Sequence, residues 1–169
     1  MRAVIQRVAS ASVSVNSDTI DQLTIFMKII VSFHNPDDTP ADMEFIVRKI
    51  LNVRLFGDGG TKRWHLSVKD AGLEVLCVSQ FTLYCELQGN KPDYRKAMGG
   101  DAAEQFYTEF LNQMKKQYKP EMIKDGKFGA TMQVNIQNDG PVTINIDSPM
   151  KKDKVDNTKK GTIEATEGT

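Results

Sequence analysis

The chain has little of what several common architectures require. Two cysteines, Cys77 and Cys85, are too few for a disulfide framework. Cys77 lies in an apolar run, where a free Cys is usually a small buried hydrophobe. Two histidines, His34 and His65, add no metal spacing such as C-x-x-C or H-E-x-x-H, so no zinc site and no other metal is expected. No G-x-S-x-G elbow surrounds Ser79, and neither histidine has a predicted route to it, which argues against a serine triad. Excess charge is absent as well. The 22 Lys and Arg balance 22 Asp and Glu, which argues against a protein held on nucleic acid by bulk charge. No signal peptide and no run of about 18 apolar residues is seen, so a soluble, cytoplasmic protein with no membrane partner is expected.

What is present suits one domain with a tail: 169 residues, 40% of them apolar. Arg2 to Val8 and Ser12 to Val15 read as strands, and Ile25 to Phe33 as a third, interrupted by Lys28. Asp38-Thr39-Pro40 supplies a helix start. Met43, Ile46, Val47, Ile50 and Leu51 then follow at helical spacing. Val53 to Phe56 reads as a short strand, Leu73 to Tyr84 as the central one, and Gly89 to Pro92 as a loop. Gly57 to Lys62 lacks phosphate-loop spacing and reads as a turn. A second helix is expected from about Asp101 to Tyr118, then two closing strands, Thr131 to Ile136 and Val142 to Ile146. The pattern predicts an α+β fold, a β-rich sheet or barrel with two main helices packed outside. Residues 150–169 carry five lysines, four acids and almost no large apolar side chain, the composition of a disordered tail.

Two short segments carry chemistry. Ser79-Gln80-Phe81-Thr82-Leu83 gathers hydroxyl and amide side chains at the end of the apolar run Leu73 to Val78. Asn138-Asp139-Gly140-Pro141-Val142-Thr143 places a Gly-Pro step between two strand-like runs, where a sharp turn is expected. Taken singly, Thr82 is a good strand former, Gly140-Pro141 a plain turn, Arg7 an exposed charge, and Phe128 and Met132 core residues. Together with Met1 to Val8, Arg48 to Asn52, Gly89 to Asp93 and Lys124 to Gly129, the two segments resemble the D-aminoacyl-tRNA deacylases. The resemblance runs from Met1 to about Pro149, which sets a 1–149 domain and a 150–169 tail.

The resemblance implies a homodimer that hydrolyses the ester of D-aminoacyl-tRNA, and of glycyl-tRNA mischarged on tRNA(Ala), without a cofactor. Gly140 and Pro141, joined by a cis peptide, would enter the partner subunit's pocket as a chiral gate. Ser79, Gln80, Phe81 and Thr82 would form the catalytic wall. Arg7 would brace the gate, and Phe128 and Met132 would line the adenosine side. The neighbouring ribose hydroxyl and backbone amides near Phe81 and Thr82 would supply the chemistry, with Thr82 in support. One departure stands out. Leu23 to Phe33 has none of the glycines that the family carries there, so bulky residues sit where it bends or closely packs its strand. Two rival readings remain: a nucleic-acid-binding module using the lysine-rich tail, and a catalytically inactive homologue.

Overall fold

The alternating residues from Arg2 to Val15 form one long strand, β1, instead of the two short ones expected. The computed structural model describes residues 1–15, 18–23, 27–33 and 38–149, with backbone alone for 18–23. Expectations for His34, residues 24–26 and the tail 150–169 fall outside these residues. After β1 come β2 (Asp18–Leu23), β3 (Met27–Ser32), α1 (Pro40–Asn52), α2 (Val68–Ala71) and β4 (Val75–Ser79). A hairpin of β5 (Glu86–Gln88) and β6 (Lys91–Asp93) follows, then α3 (Gly100–Gln117), β7 (Ile123–Asp125) and β8 (Gln133–Asp147).

The main sheet has six strands in the order β2-β1-β3-β4-β7, with β8 also paired to β1. It is α+β as expected. Among the described residues it does not close into a barrel, since β7 pairs with β4 alone. The pairs β3–β4 and β4–β7 are parallel, and parallel neighbours need long crossovers. The two main helices supply them, α1 between β3 and β4 and α3 between β4 and β7.

Helix α1 begins where its sequence says it should. Thr39 caps the Asp42 amide, the Asp42 carboxylate returns a bond to the Thr39 amide, and Pro40 opens the first turn. Its five periodic apolar residues are all buried. They meet Ala3, Ile5, Ile29, Val31, Cys77 and the inner face of α3 in one apolar cluster. Tyr107 of α3 fixes that helix to β4 through a 3.0 Å bond from its hydroxyl to the Cys77 carbonyl. On the other face of the sheet a smaller cluster joins Val8, Ala11, Val13, Leu76 and Val78, with Met132 and Val134 against it. The second half of β1 therefore covers β4 from the side opposite the helices.

Several expected elements are shorter or differently joined. The central strand ends at Ser79, and Phe81 to Tyr84 wind into a 3-10 turn. Residue type favoured a strand there, but β3 stops at Ser32 and β7 pairs no further than Cys77, so no ladder partner remains among the described residues. Val53 to Phe56 contributes one bridge, Phe56 to Leu66. The Gly89 loop is the tip of the β5–β6 hairpin.

The described part of the glycine-free segment, from Met27 onward, pairs regularly. β3 pairs with β1 from Met27–Arg7 through Ser32–Arg2, and Met27, Ile29 and Val31 are fully buried. Lys28 is the exception in kind. It is 4% exposed, a long cationic side chain held almost wholly out of water. Burial lowers its pKa from the ordinary 10.5. The folded state therefore disfavours the charged form, a cost fully present below the folded pKa and relieved as pH rises through 10.5. Lys28→Met is expected to raise stability by about 1–3 kcal/mol at neutral pH. Thermal melts check this, and the advantage should shrink toward strongly alkaline pH.

Candidate active site

The end of β4 opens into a cavity of about 590 Å³ between the sheet and the start of α3. Ser79, Gln80 and Phe81 line one side of it, and Phe128 and Met132 another. Two of the candidate segments are thus brought together from positions about fifty residues apart. Among the described residues, none that lines the cavity carries an ionisable side chain. These residues supply neutral donors and acceptors, aromatic rings and methionine sulfur, and no carboxylate or imidazole to act as a base.

The wall is locally well tied. The Gln80 amide donates to the Val31 carbonyl at 2.8 Å, the last link before the chain leaves the sheet. Its side-chain Nε2 donates to Thr82 Oγ1 at 2.9 Å. Thr82 itself is not among the lining residues; it stands behind Gln80 and orients that amide. Phe81 is 55% exposed, its ring edge-on to Tyr94 with centroids 5.1 Å apart. Because Phe81 and Thr82 open the 3-10 turn, their amides precede the first hydrogen bond of that turn.

The Lys124-to-Gly129 segment sets the opposite wall. A Cβ on Gly126 would come within 2.6 Å of the Met132 sulfur, so only glycine lets Met132 reach its place beside the cavity. Cys77, just beneath the wall, has its thiol pKa raised by burial and is no candidate nucleophile. Both cysteines are free. Among the described residues no cluster of His, Cys, Asp or Glu is placed to hold a metal ion.

Gly140 and Pro141 do not line this cavity, nor do they turn the chain between two strands. β8 runs through them from Gln133 to Asp147. Gln6 pairs with Thr143 and Val8 with Asn138, so Asp139, Gly140, Pro141 and Val142 stand opposite Arg7 alone. The sharp turn expected from Gly-Pro is instead a wide bulge in a continuous strand. Three extra residues are pushed out of the ladder, and Asp139, Gly140 and Pro141 are all exposed. Gly140 has φ +88°, a conformation that L side chains rarely adopt.

Arg7 sits beneath the bulge. Its Nη1 donates to the Leu55 carbonyl at 2.7 Å, and its Nε lies 2.9 Å from Asp139 Oδ2 at an angle short of a hydrogen bond. Its Nη2 lies 3.2 Å from where a Cβ on Gly140 would be. Asp139 and Leu55 escaped the sequence reading. The acid directly before the Gly-Pro step was a usable signal; the carbonyl of Leu55 left none.

A family model described as D-Tyr-tRNA(Tyr) deacylase matches residues 4–147. The chain is 53% identical over 149 residues to D-aminoacyl-tRNA deacylase 1 of Bos taurus, covering 88% of this chain and 71% of the relative. It is 53% identical over 153 residues to the D-aminoacyl-tRNA deacylase of Drosophila melanogaster, covering 90% and 96%. A solved structure titled c-Myc DNA Unwinding Element Binding Protein superposes with TM-score 0.84 at 53% identity, covering 88% of this chain and 99% of that one. A second, titled as a probable eukaryotic D-amino acid tRNA deacylase, shares the fold at TM-score 0.72 and 14% identity, covering 86% and 98%. With the family model spanning nearly all of the described residues and relatives above half identity, this chain belongs to the D-aminoacyl-tRNA deacylase family, a family of ester hydrolases.

Proposed function

We propose that this chain hydrolyses the ester between a D-amino acid and the terminal adenosine of tRNA, with the aminoacyl-adenosine end seated in the β4 cavity. The observation that carries the reading is the cavity's character: room for a nucleoside, aromatic and thioether walls, and no ionisable group among the described residues that line it. With no base among those residues, the proton transfer is drawn from the substrate. The ribose hydroxyl beside the ester is the nearest such group, and the backbone amides near Phe81 and Thr82, at the start of the 3-10 turn, assist by donating to the developing oxyanion. Thr82 acts in support, by holding Gln80.

Chirality is read by backbone. The Gly140–Pro141 bulge projects from its own subunit and enters the cavity of a second copy, so the working unit is a homodimer. A rigid wall placed where an L side chain must project rejects L residues of any size, while D side chains point away. Glycine has no Cβ to clash, so glycyl-tRNA is cleaved as well, including glycine mischarged on tRNA(Ala). Residues 1–149 carry this activity. No described helix is long and apolar enough to cross a membrane, and the free thiols suit a reducing cytoplasm.

Incubating the protein with D-Tyr-tRNA and L-Tyr-tRNA and following amino-acid release tests the reading, with rapid release of the D form alone expected. The name of the 53% identical structure favours one other reading, nucleic-acid binding without turnover. It requires salt-sensitive binding, lost on deleting 150–169, and no release from either tRNA.

A further inference from the structure

We propose that Trp64 is a positioning residue for the Gly140–Pro141 gate and acts on it through Arg7. This rests on the reading of the bulge as the part that excludes L substrates. The Arg7 guanidinium has one hydrogen-bonded anchor, the Leu55 carbonyl at Nη1, and an ion pair from Nε to Asp139 that falls short of hydrogen-bond geometry. One directional bond and one undirected charge contact leave a flat group free to tilt. The Trp64 ring closes that freedom: the guanidinium carbon stands over it, 5.6 Å from the ring centroid. With the tilt blocked, Nη2 stays beside Gly140, 3.2 Å from where a Cβ on that residue would stand. Removing the ring lets the guanidinium tilt, and the backbone above it gains room to yield.

Trp64 has no competing role in the core. It is 56% exposed and belongs to neither apolar cluster. Its loop is fixed at the base instead, where the His65 and Leu66 amides donate to the Phe56 carbonyl at 2.9 and 3.0 Å. A large exposed indole held over a half-buried arginine is a placement that packing alone does not call for. The same short segment, Leu55 to Leu66, thus supplies both the carbonyl and the ring that grip Arg7.

The test compares cleavage of D-Tyr-tRNA and L-Tyr-tRNA by Trp64→Leu, Trp64→Phe and Gly140→Ala. Trp64→Leu is expected to lower the D/L rate ratio about two- to tenfold, the size of one cation–aromatic contact, through faster cleavage of the L substrate. Trp64→Phe keeps a ring face and should keep most of the ratio. Trp64→Leu added to Arg7→Lys should change the ratio no further than Arg7→Lys alone. Because the chain has a single tryptophan, its fluorescence gives a second reading that needs no Trp64 variant. Arg7→Lys should shift that emission. Equal loss of both activities in Trp64→Leu, or a parental ratio in it while Gly140→Ala collapses the ratio, overturns the proposal. An emission indifferent to Arg7→Lys overturns it too. A parental ratio in Gly140→Ala overturns the gate reading beneath it.

Discussion

Gly140→Ala should lose most of its discrimination between D- and L-aminoacyl-tRNA while remaining folded. The residue sits at φ +88°, where a Cβ costs about 1–2 kcal/mol, and that Cβ would press on Arg7 Nη2 at 3.2 Å. Either the backbone leaves the left-handed region or Arg7 leaves its seat, and both move the bulge. A shift of about 1 Å in a positioning element can cost about 10²-fold, so the D/L ratio should fall by that order. The fold should survive, because the bulge is exposed and the ladder on either side pairs through Thr143 and Asn138. If the bulge acts in the partner's cavity, mixing Gly140→Ala with a Gln80 variant should restore one working site per heterodimer. A mixture that recovers nothing would place each site within one chain.

A tRNA ending in 2′-deoxyadenosine should be deacylated about 10²–10⁴-fold more slowly than the normal substrate, the usual worth of a positioned proton-transfer group. The argument is one of elimination within the cavity. Among the described residues no lining residue is ionisable, Cys77 is held neutral by burial, and Thr82 is bonded to Gln80 and does not itself line the cavity. Thr82→Ala acting on the normal substrate should lose much less, about tenfold, because it loosens Gln80 without touching the reacting atoms. Single-turnover rates decide the ranking. A larger loss in Thr82→Ala, or an acyl group trapped on Thr82, would favour a covalent threonine mechanism.

How far the sequence could be read follows from the range of the interactions involved. Helix α1 was legible because everything that makes it lies within fifteen residues: the Thr39–Asp42 capping box, Pro40, and five apolar residues at helical spacing. The same holds for the inner face of α3. The end of β4 was not, since residue type spoke for a strand through Tyr84 and only the lengths of β3 and β7 decide otherwise. The Gly140–Pro141 bulge was read as a turn for the same reason. Its character depends on β8 staying in register with β1 across about 130 residues of sequence, which no local pattern states. By residue type alone Arg7 reads as an exposed charge, and only the family resemblance singles it out. What it grips comes from three separate stretches, at Leu55, Trp64 and Asp139.

The central claim is that configuration, rather than side-chain type, decides what is cleaved. The most direct measurement is amino-acid release from tRNAs carrying alanine, tyrosine and tryptophan in both configurations, with glycyl-tRNA alongside. The account predicts that the three D forms and glycine are released at rates within about tenfold of one another, while every L form lags by about 10²-fold or more. Rates that follow side-chain size across both configurations, with D and L tyrosine released alike, would contradict it.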